Sequence, residues 1–508
     1  MRIASTGLLA VFILAVLFTY GVFFTGHPVS GDNIVQFYQT TQILDRGRLT
    51  FRPEEASDIV RRHDWGLDTR FSLNRDGLSY SQAHGIGQPL MTLPLFAAMR
   101  LAKRILGLQR PADMTLWALN WPIFSAAAVV FVLAICRLVK LSAEWSTLIT
   151  LGAAFSSPLW MYSDAPYNVL GEVVLILAGI ALCLWLDGAR PGSVRQRCGA
   201  AAALALLLTF TVLVRPFAAT AIPAFVAWVL MAARSGAPER SGLMDRRHVR
   251  VFLGCLLTGA AAVAVFNTYY FGSPMATAYH HLQGVMNFNG RWLEGVSGTF
   301  LSPLKSPLYF FPLSVLFPAA LAVVAWRRES SALFVVLFML PQIFWMPKYS
   351  LWDGGPDLFA RFWLRALPAV FLTLALAARD GSSMSTRRRA SFAAVVILTL
   401  LGTSAQFRTS MTDERVVYAQ AASILTRRSD AQGHALQYQD TPVDLLMGRT
   451  IVASTQRAAA NTPRSFLFFR ESPHPSARLW AAVLGLLVAT GSLYACCVVD
   501  ERMPADSP

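Results

Sequence analysis

The chain returns repeatedly to apolar runs of roughly 16 to 24 residues, close to the ~20 that a helix needs to cross the hydrocarbon core of a bilayer. A backbone facing lipid must satisfy its own hydrogen bonds, so such runs fold as helices. The first covers Gly7 to Phe24, and the others centre near residues 126, 153, 177, 207, 224, 261, 317, 339, 371, 398 and 488. They predict an all-α, polytopic membrane protein with about 12 transmembrane helices (11–13). Composition agrees, because 14% of the 508 residues are charged where a soluble chain carries about a quarter.

Basic residues set the expected threading. Arg190, Arg195 and Arg197 precede the apolar stretch 199–233, and Arg234, Arg240, Arg246, Arg247 and Arg250 follow it. With both clusters cytoplasmic, that stretch crosses twice and turns at Arg215-Pro216, where proline interrupts the helix. The half-apolar stretch 88–108 ends in Arg100, Lys103 and Arg104 and is expected to be a surface or re-entrant helix, which leaves Arg137 and Lys140 inside. Arg327, Arg328, Arg379 and Arg387 to Arg389 then also fall inside, as the positive-inside rule requires. Both termini are expected in the cytoplasm, around a long first outer loop at about 26–113. The expected divisions are a transmembrane module at 1–405, an outer segment at 406–477, and a final helix with a short tail at 478–508.

The net charge of +15 is explained by this loop bias, so nucleic acid is not an expected partner. Cys136, Cys183, Cys198, Cys255, Cys496 and Cys497 lie in or beside apolar runs without metal-ligand spacing and read as packing residues. There is no G-x-x-x-x-G-K-[ST] loop, no His-Glu-x-x-His pair and no G-x-S-x-G elbow, which argues against a P-loop engine, that zinc chemistry and that hydrolase chemistry.

The polar residues of the outer face are the candidates for chemistry. Asp32, in SGDNIVQFYQT, is either a helix cap, with Ser30 as the alternative cap, or a general base for an acceptor hydroxyl. The segment YSQAHGIGQPLMTLPLF offers Tyr80 and His84 for a sugar or phosphate, with Gly85 and Gly87 allowing close backbone approach. Asp164, Glu172 and Arg215 are ionisable groups at the membrane edge, where they either line a cavity or pair between helices. The guanidinium of Arg215 suits a phosphate. Two later outer stretches add GSPMATAYHH, with Tyr279, and KYSLWDGGPDLFARFWLRALP, with Trp352, Asp353 and Arg361. Tryptophans there are also ordinary residues of the interfacial belt.

Taken in order, SGDNIVQFYQTTQILDRGRL, YSQAHGIGQPLMTLPLF, SSPLWMYSDAPYNVLGE, LVRP, FGSPMATAY, LSPLKSPLYFFPL and the W-D-G-G…A-R-F…L-P element resemble the GT-C superfamily of integral membrane glycosyltransferases. The nearest branch is similar to bacterial relatives of protein O-mannosyltransferases and the lipid A aminoarabinose transferase (family 39-like), over roughly residues 7–370. The resemblance implies a GT-C-like fold whose first outer loop carries amphipathic helices. It also implies a hexosyl- or pentosyltransferase of the inner (plasma) membrane. The donor would be a polyprenyl-phosphate-linked sugar, and the acceptor a lipid, glycan or protein on the extracytoplasmic side. The family acid falls on Asp32. Many relatives have two adjacent acids where this chain has Asp32-Asn33, so a divalent metal stays open without being indicated, and no other cofactor is implied. Charge and topology add Arg215, Lys305 and Arg361 as candidates to hold the departing phosphate. Tyr80, His84, Asp164, Tyr279, Trp352 and Asp353 are candidates to bind substrate. The competing readings are a transporter or flippase of lipid-linked glycans and a non-catalytic membrane assembly protein.

Overall fold

A computed structural model describes residues 2–26, 31–63, 71–82, 85–164, 167–188, 193–234, 246–277, 292–301, 306–327, 329–348, 361–379, 386–410 and 475–501. In chain order the helices are α1 (Arg2–Val22), α2 (Gly31–Arg46), α3 (Pro53–His63), α4 (Gly87–Ile105), α5 (Asp113–Ala118) and α6 (Asn120–Leu138). There follow α7 (Ala143–Phe155), α8 (Asn168–Asp187), α9 (Val194–Val214), α10 (Ile222–Arg234), α11 (Arg246–Phe271) and α12 (Trp292–Leu301). The series ends with α13 (Pro307–Phe310), α14 (Phe317–Trp326), α15 (Ser330–Phe344), α16 (Leu367–Ala378), α17 (Thr386–Ser410) and α18 (Pro475–Glu501).

Among the described residues, nine helical stretches are long and apolar enough to cross a membrane, and the chain is a multi-pass helical membrane protein. The runs expected near 153, 317 and 371 form shorter helices. Proline is the cause in each case. Pro158 lies three residues past the end of α7, whereas α14 and α16 each carry a proline as their second residue, directly after a 3-10 turn. A ring without an N–H starts a helix well but cannot extend one backwards. The stretch 199–233 does divide at Arg215-Pro216, into α9 and a second candidate span, Pro216–Arg234. Helix α4 is not among the candidate spans. At the other two expected boundaries, α17 runs on through Ser410 and α18 begins at Pro475. Most of the outer segment 406–477, including 441–456, lies outside the described residues.

The bundle is held by one apolar core. Trp117, Trp121, Phe155, Phe225 and Trp228 are among its largest buried side chains. Two of the polar groups inside it are matched to backbone carbonyls across the bundle. The Tyr20 hydroxyl donates to the Ala154 carbonyl at 2.8 Å, and Ser125 Oγ donates to the Leu159 carbonyl at 2.9 Å. Helix α11 packs along α9, with Gly259 set directly against Thr209. Its opposite flank leaves Leu257, Val265 and Tyr269 exposed, as suits a lipid-facing helix.

The loop between α1 and α5, expected on the outer side, forms a small unit on one end of the bundle. Val35, Phe51, Ala56, Ile59 and Phe71 make a second core, with Tyr38, Val60 and Tyr80 packed at its edge. Beside the helices expected in this loop stands a short antiparallel hairpin, β1 (Phe71–Leu73) and β2 (Tyr80–Gln82), which the all-α expectation did not include. Its turn holds Asp76-Gly77, with Gly77 at φ +65°. Asp76 Oδ1 accepts the amides of Leu78 and Ser79, both at 2.9 Å. Glu55 joins α2 to α3 by accepting from Gln42 Nε2 at 3.0 Å and the Arg52 amide at 2.9 Å, and it pairs with Arg46 and Arg48. Part burial pushes its carboxyl up, but the Arg52 amide and the two guanidinium groups outweigh this and hold it below the usual range.

This loop unit is fastened to the bundle at three places. Trp117 Nε1 donates to the hydroxyls of Thr40 and Thr92, each at 3.1 Å, which locks α2 and α4 onto α5. The Arg75 amide donates to the Tyr270 carbonyl at 2.9 Å. Gly85 and Gly87 lie against the backbone of Leu213 and Val214 at the end of α9.

Candidate active site

The site is built around the break between α9 and α10. Pro216 cannot continue the helix, so Arg215 takes an extended conformation (φ −153°, ψ 114°) while its amide still bonds the Thr211 carbonyl at 2.9 Å. The Arg215 side chain is thereby turned from its own helix toward α8, where Nη1 donates to Glu172 Oε2 at 3.0 Å. The other oxygen of Glu172 pairs with Arg365 Nε at 2.6 Å. Arg365 stands in the 3-10 turn Arg361–Ala366 that leads into α16. All three side chains are buried, and Glu172 is fully so.

Aromatic faces complete the surroundings of the cations. The Arg365 guanidinium lies 4.6 Å from the ring centre of Phe217 and 5.7 Å from that of Phe338. Arg215 is 6.0 Å from the same Phe217 ring. Such contacts offset part of the desolvation of a buried guanidinium. One carboxylate shared by two arginines thus draws together α8, the α9–α10 break and the segment before α16.

Gln88 packs against Gly171, the residue before Glu172 on α8. A Cβ on Gly171, the neighbour of Glu172, would press on Gln88 Oε1. Gln88 is fully buried, and neither its Nε2 nor its Oε1 has a hydrogen-bond partner among the described residues. A buried amide left in that state is costly. In native proteins it marks a place that accommodates a water or a ligand.

Beside the cluster runs a part-open cleft of about 580 Å³, counting the solvent at its mouth. Val212, Leu213, Val263 and Phe266 line it from α9 and α11, together with Pro216, the residue after Arg215. Gln39, Ser81 and Gly85 line it from the outer loop. Asp32 stands seven residues before Gln39 on α2 and is partly buried. Seven residues make nearly two full turns, so Asp32 lies on the same helix face, roughly 10 Å along the axis.

The other expected residues are distributed as follows. Helix α2 begins at Gly31, so Asp32 sits within its first turn, where a carboxylate is favoured by the helix dipole. Tyr80 exchanges backbone hydrogen bonds with Phe51, at 2.8 and 2.9 Å, and packs on the loop core. Asp164 accepts from the Thr25 amide at 2.7 Å and from its hydroxyl at 2.9 Å, tying the end of α1 to the turn before α8. His84, Tyr279, Lys305, Trp352 and Asp353 lie outside the described residues, as does the side chain of Arg361. Among the described residues, no group of three or more His, Cys, Asp or Glu could hold a metal ion.

Two residues escaped the sequence reading. Arg365 carries the same signal as Arg215, a guanidinium inside an apolar stretch, but Arg361 drew attention through its place after the Asp353-Gly354-Gly355 turn. Gln88 lies within the YSQAHGIGQP segment and was passed over because glutamine at a helix start is ordinary in sequence. Only its burial distinguishes it.

The close approach at Gly87 gives a direct prediction. An added methyl would overlap the backbone at Leu213 and Val214, which cannot swing aside as a flexible side chain does. Gly87→Ala should destabilise the contact by roughly 1–3 kcal/mol, seen as faster protease cleavage within the first outer loop. Gly199→Ala, whose Cβ meets nothing within 4 Å, should leave the cleavage rate unchanged.

Among solved structures, the chain is similar to oligosaccharyltransferases of Archaeoglobus fulgidus. The apo form of one aligns over 84% of this chain and 58% of its own, at 11% identity and a TM-score of 0.44. An archaeal oligosaccharyltransferase from that organism, in complex with an inhibitory peptide and a dolichol-phosphate, aligns over 86% and 60%, at 12% identity and a TM-score of 0.48. This chain therefore spans less than two thirds of the length of those proteins. No protein family model and no curated protein matches it. The functional reading rests on the residues of this chain.

Proposed function

We propose that the chain is a membrane glycosyltransferase of the GT-C kind, moving a sugar from a polyprenyl-phosphate-linked donor to an acceptor hydroxyl on the extracytoplasmic side. The observation that carries this reading is one juxtaposition. An apolar cleft between α9 and α11 is lined by Pro216, the residue after Arg215, and by Gln39 of the helix that bears Asp32. A long apolar chain joined to an anionic head has the same two-part chemistry. A pocket for a soluble nucleotide sugar would not need the apolar wall.

In this proposal the donor enters sideways from the bilayer with its prenyl chain along Val212, Val263 and Phe266. Asp32 takes the proton from the acceptor as its heteroatom attacks the anomeric carbon. The bond from that carbon to the phosphate oxygen breaks, and the electron pair leaves with the prenyl phosphate. Arg215 stabilises the charge that develops there, while Glu172 and Arg365 hold its guanidinium in place. Lys305 and Arg361 are proposed to assist at the phosphate, and His84, Tyr279, Trp352 and Asp353 to contact sugar or acceptor. Tyr80 and Asp164 serve by shaping the loop and anchoring α1. The three short apolar helices complete twelve crossings of the inner membrane, with both termini in the cytoplasm.

Comparative mass spectrometry of surface glycolipids and glycoproteins, from cells with and without the protein, tests the proposal. Loss of one sugar mass from a lipid, glycan or protein, restored by the intact chain, is the expected result. If that sugar is lost while its lipid-linked precursor is trapped on the cytoplasmic side, the protein is a flippase and the transferase reading is lost, as it also is if every glycoconjugate keeps its mass.

A further inference from the structure

The far end of α4 carries a second surface, independent of the cleft. Seventeen residues separate Gly87 from Arg104, roughly 25 Å of helix, so this end stands well away from Arg215. Near its start α4 buries Gln88, Thr92 and Phe96. Over its last turns it exposes Leu101 and Ile105, and the chain continues into exposed Leu106 and Leu108. Ile105 is 75% exposed. Four large aliphatic side chains so close together are out of place in water.

Beside them Arg100, Lys103 and Arg104 wall a shallow pocket that also takes in Leu108 and Asp113. Arg100 pairs with Asp45 at 2.8 Å and with Asp113 at 3.0 Å, and Lys103 pairs with Asp113 at 3.0 Å. Arg104 and Arg110 are exposed and make no ion pair among the described residues. With Arg110 two residues beyond Leu108, this helix end carries four cations against the two carboxylates of Asp45 and Asp113. The backbone fixes this arrangement. The Leu108 amide bonds the Lys103 carbonyl at 3.0 Å, the Gly107 amide bonds the Arg104 carbonyl at 3.2 Å, and Gly107 has φ +63°. This is the glycine-terminated helix end that holds the following residues back against the last turn.

Location selects the occupant. Asp113 begins one of the candidate spans, Asp113–Leu138, so the cluster sits where that span leaves the hydrocarbon. Aliphatic side chains beside cations at that depth match the acyl chains and phosphate of a lipid. An acidic peptide would satisfy the cations and leave Leu101, Ile105 and Leu106 in water. We propose that the end of α4 binds the headgroup of an anionic phospholipid, with Arg104 and Arg110 on its phosphate and Leu101, Ile105 and Leu106 against its chains.

The test uses the full chain, purified in detergent, with its unfolding temperature followed as lipid is added. Phosphatidylglycerol should raise the midpoint by several degrees more than phosphatidylcholine does. The double variant Arg104→Gln, Arg110→Gln should lose at least half of that difference while unfolding normally in phosphatidylcholine. The variant Arg246→Gln, Arg250→Gln, which removes equal charge elsewhere, should keep it. Equal effects of the two lipids, an undiminished difference in the first variant, or an equal loss in the second would each overturn the proposal. So would protection by glycerol phosphate alone, which would identify a site for a free anion.

Discussion

Replacing Glu172 by leucine should lower the unfolding temperature of the detergent-solubilised protein by roughly 5 °C or more. The argument is electrostatic. Arg215 and Arg365 are buried with Glu172 between them, at 3.0 and 2.6 Å. Removing one partner of a buried ion pair leaves a charge without its counter-ion and costs roughly 3–5 kcal/mol. Here two guanidinium groups lose the same carboxylate. Asp58→Asn, which breaks exposed pairs with Arg61 and Arg62 on α3, should leave the unfolding temperature essentially unchanged, because solvent screens such pairs. Replacing all three members of the cluster by apolar residues of similar volume should recover much of the loss, because the penalty lies in the uncompensated charge. An unchanged midpoint in Glu172→Leu would show that this carboxylate does not hold α8, the α9–α10 break and the α16 turn together.

Asp32→Asn should lower the rate of sugar transfer by about 10²- to 10⁴-fold with little change in unfolding temperature, the range expected when a positioned general base is lost. Asparagine has nearly the same shape and preserves the start of α2, but it cannot take a proton. Asp164→Asn provides the contrast. That carboxylate is occupied by the Thr25 amide and hydroxyl, so its loss should weaken the attachment of α1 and leave the chemical step largely intact. Measuring transfer at saturating donor separates the two effects. A wild-type rate in Asp32→Asn would remove Asp32 from the mechanism and return it to the capping role that its place in the first turn already explains.

The membrane architecture was legible in the sequence because the bilayer imposes a length and forbids an unsatisfied backbone. The break at Arg215-Pro216 was legible for the same reason, since a charge followed by proline inside an apolar stretch has few explanations. The hairpin was missed although Asp76-Gly77 is a turn signal, because its three-residue strands are too short to show alternation. Proline shortened α14 and α16, and hydropathy alone does not register where a helix must begin.

The site was legible only in pieces. Arg215 and Glu172 were visible as charges, but their pairing spans 43 residues, and nothing local indicates it. The bond from Thr25 to Asp164 spans 139 residues. Arg365 and Gln88 emerge only from packing, the first through Phe217 and Phe338 and the second through Gly171. Residue type marked which groups were expensive to bury. The fold decided which of them meet.

Helices α1 and α18 lie side by side, and Ser5 Oγ and Arg137 Nη2 both reach the carboxylate of Asp500 at 2.5 Å. Ser5 and Cys496, also in contact, stand 491 residues apart. During translation the ribosome delivers α1 long before α18 exists, an interval on the order of a minute at ordinary elongation speeds. Throughout that time one flank of the earliest helix has only lipid, or an insertion chaperone, for company. The bundle is therefore sealed by a late event, and a polypeptide stalled before α18 would present the cell's quality control with an open seam.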